Sequence, residues 1–335
     1  MKRITGFIVS ALLLTGLLAG CAKSPEEAGN ISTPENHVSD TETGNEEIHK
    51  DGSAEWPRTY TDALGREIVL EEKPERTAML FFRNYEHLFV LDELPVAGTE
   101  VQSVYKGWEM FKPYAEKHEV IDLGNMDEEN LEKLLEVAPD LIIAYTGTYE
   151  KIGEQLEKIA TTITVDNYGD DWQAPLTEYG KIFGKEDMAQ AEIDKLKDQL
   201  QSGVKELSDY SDKTFAFLRF DGTKGFLVYV LDFVYNEEAG LGLKAPEGYL
   251  DQGRTTISLE GVSEFNPDYI FIYDNAGDDG EELNLEELNS SSSVWNSLEA
   301  VKNEHVYLID RSAFSGGPMS ISYGVDAILE SLNLK

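Results

Sequence analysis

The sequence predicts an α/β fold of two Rossmann-like lobes, each with a mainly parallel sheet flanked by helices, joined by one long helix, with a ligand cleft between the lobes. Apolar strand-like segments alternate with amphipathic helical segments along most of the chain, as is typical of parallel sheets. Residues 130–145 recur without a gap at 258–273, which indicates two related halves. Residues 185–202 lack Gly and Pro and carry apolar residues at helical spacing, which predicts the connecting helix.

The elements of the two halves follow from the periodicity of apolar residues and from the turn residues between them. In the first half we expect strands at 60–70 (a hairpin), 77–82, 96–98, 141–145 and 162–165, with helices at 84–94, 108–118, 128–137 and 149–160. In the second half we expect strands at 214–220, 225–230, 269–273 and 305–309, with helices at 232–239, 258–265, 285–298 and 320–334.

The repeat contains a polar cap, Leu-Glu, then Pro-Asp and an apolar strand that ends in Tyr. Pro139 and Pro267 end their helices because proline cannot continue one. The strands that follow are continuously apolar, which indicates burial on both faces. The two copies therefore predict related lobes.

The first residues have the layout of a secretory signal peptide. Lys2 and Arg3 precede an apolar run from Ile4 to Leu18, which is short for a membrane span of about 20 residues. Leu18-Ala-Gly-Cys21 resembles the lipobox of bacterial lipoproteins, which implies a diacylglycerol thioether on Cys21 as the mature N-terminus. An ordinary signal peptide or a membrane span is the alternative.

Residues 22–55 are rich in small, polar and acidic residues and lack aromatic residues. Such a composition predicts a disordered tether with an end-to-end distance of about 30–35 Å. Its length favours a protein lipid-anchored to the extracytoplasmic face of the cell membrane of a Gram-positive bacterium. We divide the chain into signal peptide (1–20), lipidated Cys and acidic tether (21–55), N-terminal lobe (56–171), connecting helical segment (172–210) and C-terminal lobe (211–335).

Charge and cysteine content exclude several classes of protein. The formal net charge of −36 excludes a nucleic-acid binder, because phosphate neutralisation needs an excess of Lys and Arg. It is typical of a self-repelling soluble surface, and we expect a monomer; an acidic body that docks on basic partner loops is the other interpretation. A single Cys excludes an intramolecular disulfide and thiolate zinc.

Taken together, these features resemble the helix-linked (class III) substrate-binding lipoproteins of ABC importers, in the ferric-siderophore and vitamin B12 group. The resemblance covers Tyr60 to the C-terminus and rests on the connecting helix and three motifs: Asp62-Ala-Leu-Gly-Arg66, Asn130-Leu-Glu with Pro139-Asp140, and Ser258-Leu-Glu with Pro267-Asp268. It implies a binding protein without catalysis that delivers a ferric siderophore to a permease. It also implies no resident cofactor, with iron bound only as a siderophore complex.

The resemblance assigns permease docking to Glu132 and Glu260, which would engage arginines on the permease. Both acids occupy the same position of the repeat, on the solvated side of a short amphipathic helix. One anion on each rigid lobe can match two cationic pockets, because Arg–carboxylate pairing is directional. The alternative is that each Glu only favours its helix dipole.

Ligands of parallel α/β lobes bind outside the carboxyl ends of the strands, so the residues that follow strands are candidates for ligand binding. Arginine suits the anionic oxygens of a siderophore, and aromatic faces suit its flat periphery. The alternatives are that Tyr145 only caps its strand and that Trp108 packs in the lobe core. The ligand-binding residues predicted in this way are Arg83, Tyr105, Trp108, Tyr145, Trp172, Arg219, Tyr229 and Arg311.

Other chemistries find little support in the sequence. The histidines form no HxxxH or HxH pair, so we predict no metal site; His87 either lines the cleft or is a polar residue of the first helix. There is no GxSxG, HExxH or Gly-rich phosphate loop, which argues against a hydrolase. Cobalamin, haem and ferric citrate remain alternative cargoes, and a surface sensor or adhesin remains an alternative class.

Overall fold

The computed structural model describes residues 55–166, 171–221, 225–274 and 283–335. The predicted signal peptide, Cys21 and all of the tether but its last residue lie outside the described residues. No helix within the described ranges is long and apolar enough to span a membrane.

Short strands and helices alternate through the first half, as the apolar pattern predicts. In chain order they are β1 (Arg58–Thr61), β2 (Glu67–Leu70), β3 (Thr77–Met79), α1 (Tyr85–Val90), β4 (Ala97–Gly98), α2 (Lys112–Ala115), β5 (Ile121–Asp122), β6 (Gly124–Asn125), β7 (Glu128–Glu129), α3 (Leu131–Val137), β8 (Leu141–Tyr145), α4 (Thr146–Leu156) and β9 (Thr161–Val165). Five of these strands form a parallel sheet in the order β5-β4-β3-β8-β9.

The Asp62–Arg66 motif fastens the β1–β2 hairpin to this sheet. The buried carboxylate of Asp62 accepts the backbone N–H of Arg66 at 2.9 Å and pairs with its guanidinium at 2.7 Å. The same carboxylate accepts the hydroxyl of Thr164 on β9 at 2.6 Å. The motif is therefore a structural connection, since its polar groups satisfy one another.

Two helices connect the halves: α5 (Gln173–Phe183) and α6 (Glu186–Glu206). The 21 residues of α6 span about 30 Å at 1.5 Å per residue. The helix extends four residues beyond the predicted end at residue 202. It does not extend in the other direction, because Gly184 takes the left-handed conformation (φ 66°) and ends α5 there.

The second half holds a second five-stranded sheet. Its elements are β10 (Phe215–Phe220), β11 (Gly225–Tyr229), α7 (Asp232–Tyr235), β12 (Thr256–Ser258), α8 (Leu259–Phe265), β13 (Tyr269–Asp274), α9 (Leu285–Ser291), α10 (Glu299–Lys302), β14 (Val306–Leu308) and α11 (Pro318–Ser331). The strand order is β12-β11-β10-β13-β14.

This second sheet is more mixed than the sequence suggests. The β10–β13 and β13–β14 pairs are parallel, but β11 pairs antiparallel with both β10 and β12. The reason is the short connection between β10 and β11, since only antiparallel neighbours can be joined by a hairpin.

Several helices are shorter than their apolar periodicity predicts. The helix expected at 128–137 begins at Leu131, since β7 occupies 128–129. The helix expected at 108–118 is reduced to a 3-10 turn and α2, since Trp108 is extended. The helix expected at 285–298 stops at Ser291, where a run of serines begins to compete for backbone hydrogen bonds.

The repeat has the same structure in both lobes. Asn130 and Ser258 cap α3 and α8 by accepting the N–H three residues on, at 2.9 and 3.4 Å. Both helices end in a left-handed residue, Ala138 and Asn266, before the proline. Equivalent local sequences thus start and stop their helices in the same way.

The Asp of each Pro-Asp pair binds the chain just before the neighbouring strand. Asp140 accepts the N–H groups of Glu75 and Arg76 at 2.8 and 3.0 Å, next to β3. Asp268 accepts the N–H and hydroxyl of Thr214 at 2.8 and 2.9 Å, next to β10. The repeat therefore fixes the register between adjacent parallel strands in each lobe.

The last helix packs on the first lobe as well as on the connecting helix. α11 contacts α6 and α1, and Gln199 of α6 donates to the Ser322 carbonyl and to Asp326 at 3.1 and 3.0 Å. The C-terminal segment thus forms a second connection between the halves.

Candidate functional site

A cleft of about 660 Å³ lies between the two lobes and is lined by residues of both. The first lobe contributes the segment after β3 and the turn after β4. The second lobe contributes the ends of β10, β11 and β13 and the segment before α11. Six of the residues predicted from the sequence to bind ligand line this cleft: Arg83, Trp108, Trp172, Arg219, Tyr229 and Arg311.

Two predicted residues, Tyr105 and Tyr145, are not among the described residues that line the cleft. Tyr105 is 1% exposed, and its hydroxyl donates to the His118 carbonyl at 2.8 Å. Burial raises its pKa to about 12. Tyr105 is therefore a core residue, and the structure does not place it among the described residues that line the cleft.

Tyr145 ends β8, as expected, but its ring stacks on Phe81 with the centroids 4.9 Å apart. Tyr145 thus lies at the end of a strand, as predicted, and the contact of its ring is with Phe81.

The second lobe supplies a chain of polar contacts at the cleft. The Arg254 guanidinium donates to the Tyr229 hydroxyl at 2.7 Å and lies 4.7 Å from the ring centroid. The hydroxyls of Tyr229 and Tyr273 are 2.9 Å apart. Arg219 is paired with Tyr273 in the sheet register. Two phenols thus lie between two guanidinium groups.

Sequence reasoning missed Arg254. It lies in the loop before β12 rather than directly after a parallel strand, so the strand-end rule gives no signal for it. A cation two residues before an edge strand looks like an ordinary surface residue until the antiparallel pairing of β11 and β12 is known.

Two cleft residues carry buried donor atoms that lack a hydrogen-bond partner among the described residues: Nε1 of Trp108 and Nε of Arg219. A buried donor without a partner costs about 1–3 kcal/mol. Such donors at a cleft are suited to bind an acceptor that arrives with a ligand.

His87 is buried, at 3% exposure, and stacks on Tyr179 with the centroids 5.7 Å apart. Burial lowers its pKa to about 4, so the ring is neutral near pH 7. His87 belongs to α1 and is also among the residues that line the cleft. Within the described ranges, no group of three or more His, Cys, Asp or Glu residues could hold a metal ion.

Arg83 of the first lobe and Arg254 of the second are close enough for the positive charge of Arg254 to act on Arg83. Burial lowers the pKa of Arg83, and the positive charge of Arg254 lowers it further, while Tyr229 and Tyr273 act in the opposite sense. The cleft is thus lined by arginines of both lobes.

Glu132 and Glu260 occupy equivalent exposed positions in the first turns of α3 and α8. Neither is among the described residues that line the cleft. The backbone N–H and the Ser258 hydroxyl lower the pKa of Glu260. The geometry thus places one exposed acid on the surface of each lobe.

The fold and cleft define a two-lobed solute-binding protein. Residues 84–313 match the Periplasmic binding protein family, and the chain belongs to that family.

Known proteins of this kind resemble the chain over most of its length. It is 31% identical, over 96% of this chain and 95% of the relative, to the Iron(3+)-hydroxamate-binding protein FhuD of Bacillus subtilis. Among solved structures, Staphylococcus aureus SirA complexed with staphyloferrin B has a TM-score of 0.65 at 26% identity, covering 82% of this chain and 98% of that one. FeuA from Bacillus subtilis complexed with ferri-bacillibactin has a TM-score of 0.64 at 27% identity, with the same coverage.

Proposed function

We propose that this protein captures a ferric siderophore outside the cell and delivers it to the permease of an ABC importer. The observation that carries the proposal is the cleft, in which arginine and aromatic side chains from two braced lobes surround one space. Arginine binds the oxygens of an iron chelate, and aromatic rings cover its organic periphery. The FhuD and FeuA relatives support this choice, since FhuD is named for an iron(3+)-hydroxamate complex and FeuA is described as a triscatecholate siderophore binding protein.

The attachment to the membrane is part of the proposal. Cys21 carries the lipid, and the acidic tether holds the body at the extracytoplasmic face of a Gram-positive cell membrane. The protein acts as a monomer, performs no catalysis and has no resident cofactor, because iron enters only inside its chelate. Relatives named as lipoproteins, such as YfiY of Bacillus subtilis, support the anchor.

A fluorescence titration tests the cargo directly. Trp108 and Trp172 line the cleft, whereas Trp295 is buried in a core of the second lobe. Ferric hydroxamate, catecholate and citrate complexes, cobalamin and haem are each titrated into the purified protein. We expect saturable quenching by at least one ferric chelate, reduced in Trp108→Phe and Trp172→Phe and retained in Trp295→Phe. Saturation by cobalamin or haem alone would replace the siderophore by that cargo.

Metabolic labelling with palmitate tests the anchor. We expect label in the wild-type protein and none in Cys21→Ala. Equal labelling of both proteins would refute lipidation at Cys21.

A further inference from the structure

The arginines of the cleft differ from the other described arginines in their partners. Outside the cleft, Arg58 pairs with Glu186 at 2.6 Å, Arg66 pairs with Asp62 at 2.7 Å, and Arg76 donates to two carbonyls. The four cleft arginines form no ion pair with a carboxylate of the described chain. They are Arg83, Arg219, Arg254 and Arg311.

Three carboxylates also line the cleft, and none of them pairs with a cleft arginine in the described chain; each accepts hydrogen bonds from its own wall. Glu100 accepts the Ser103 hydroxyl at 2.7 Å and the Met126 N–H at 3.2 Å. Asp171 accepts two N–H groups of the first turn of α5, both at 3.0 Å. Asp232 accepts the Asn236 side-chain amide at 3.1 Å. These acids stay charged, but their oxygens are directed at donors of the wall, and the four cleft arginines outnumber them.

The cationic groups also come from opposite sides of the cleft. Arg83 belongs to the first lobe and Arg254 to the second, and the positive charge of one disfavours the charged form of the other. A ligand with its own negative charge would relieve this repulsion and bridge the lobes. A neutral ligand would desolvate the guanidinium groups without compensating their charge, which is costly.

We infer that the cleft selects a ferric complex of net negative charge, of the tris-catecholate or carboxylate class, over a neutral ferric tris-hydroxamate. The inference rests on the proposed function and narrows its cargo. It separates this chain from its FhuD relative, which is named for a hydroxamate complex.

The first test uses the full-length protein without any substitution. Ferrichrome serves as the neutral tris-hydroxamate, ferri-bacillibactin as the anionic tris-catecholate and ferric citrate as the anionic carboxylate complex. Each is titrated at about 0.1 M and about 1 M salt, between which the screening length falls from about 10 Å to about 3 Å. We expect an anionic complex to bind at least about tenfold more tightly than ferrichrome, and only the anionic affinity to fall with salt.

The second test uses a double variant, Arg83→Gln with Arg254→Gln. Each substitution removes a charge-assisted contact to an anionic ligand, so the ratio of anionic to neutral affinity should fall by about 100-fold or more. Lys158→Gln, which removes an exposed positive charge outside the cleft, should leave the ratio unchanged. Circular dichroism melting checks that each variant is folded.

The outcomes separate the inference from the proposed function. Ferrichrome binding that equals or exceeds that of both anionic complexes, independent of salt, overturns the charge selection and leaves siderophore capture standing. Failure of every ferric complex to bind overturns both. If the ratio of anionic to neutral affinity fell equally in Lys158→Gln, the overall charge of the protein, and not the cleft arginines, would set the preference for anionic complexes. That result would also overturn the inference.

Discussion

The Glu86 carboxylate on α1 accepts the backbone N–H of Ser320 in the first turn of α11 at 2.7 Å. Its other oxygen accepts the Ser315 hydroxyl. Gly317 leaves room for this contact, because a Cβ there would lie 2.6 Å from the Glu86 carboxyl carbon. A buried acid of the first lobe therefore caps a helix that follows the second sheet.

The same segment is attached to the first lobe at a second point. Asp310 accepts the N–H of Glu109 at 3.2 Å, and the Ser312 hydroxyl oxygen accepts the N–H of Met110 at 3.1 Å. Arg311, which lines the cleft, lies between the two attachments. Movement of the lobes is thus limited by this segment as well as by α6.

The titration of Glu86 should make the unfolding free energy depend on pH. Burial raises its pKa from 4.5 to about 7, although its hydrogen bonds act against this. The folded chain then holds a proton that the unfolded chain releases. The contribution of Glu86 to the unfolding free energy is therefore complete below about pH 4.5 and is lost as the pH rises through about 7. We expect the unfolding free energy of wild type relative to Glu86→Gln to fall by up to about 3 kcal/mol across this window.

Urea unfolding at closely spaced pH values measures this difference. The control is Glu154→Gln, because Glu154 is exposed. Glu93→Gln would not serve, because Glu93 pairs with Lys73 and Lys185. A difference between wild type and Glu86→Gln that does not vary with pH would contradict the buried titration.

His87 should make the unfolding free energy rise with pH, opposite to the effect of Glu86. Burial lowers its pKa from 6.5 to about 4, so the unfolded chain binds a proton that the folded chain excludes. Its contribution is present above about pH 6.5 and is lost as the pH falls through about 4. His87→Phe keeps a ring against Tyr179 but cannot bind the proton. In this variant we expect the fall in unfolding free energy at acid pH, up to about 3 kcal/mol in the wild type, to disappear.

The two neighbouring groups offset each other where their windows overlap. Wild-type protein should therefore show less pH dependence in the overlap than either single variant. The measurement is the same urea series, extended to the double variant Glu86→Gln with His87→Phe. Single variants whose slopes have the same sign would refute the assignment.

The repeated Asp residues should contribute to stability in both lobes. Asp140→Ala and Asp268→Ala each remove two hydrogen bonds to the chain before a strand, and we expect each to cost about 1–3 kcal/mol. Asp268→Ala should lower the unfolding free energy more than Asp140→Ala does, because Asp268 is less exposed than Asp140. Asp127, whose side chain is 83% exposed, serves as control, and Asp127→Ala should stay within about 0.5 kcal/mol. Unfolding curves for Asp268→Ala that coincide with those of the control would contradict this role.

The exposed acids of the repeat should govern delivery and not capture. Glu132→Ala with Glu260→Ala should abolish uptake of radiolabelled ferric chelate by cells and leave the affinity of the purified protein unchanged. Glu136 and Glu264 are exposed acids on the same helices, so their double replacement by Ala is the matched control. Normal uptake by the first double variant would remove the docking role.

The sequence alone located the strand ends that form the cleft, because buried parallel strands leave a continuous apolar signal and ligands bind beyond their carboxyl ends. It did not show which side chain at each end faces the space. Arg83 and Tyr145 both follow strands, but only Arg83 lines the cleft, since the ring of Tyr145 found a packing partner in Phe81.

Local sequence therefore determined the two lobes, their repeat, the connecting helix and the surface positions of Glu132 and Glu260, because caps, prolines and apolar periodicity act over a few residues. Tertiary structure decided the antiparallel edge of the second sheet, the place of Arg254 in the cleft and the burial of Glu86 under Ser320. Each of these depends on a contact between residues far apart in the chain, and such contacts leave no periodic signal in the sequence.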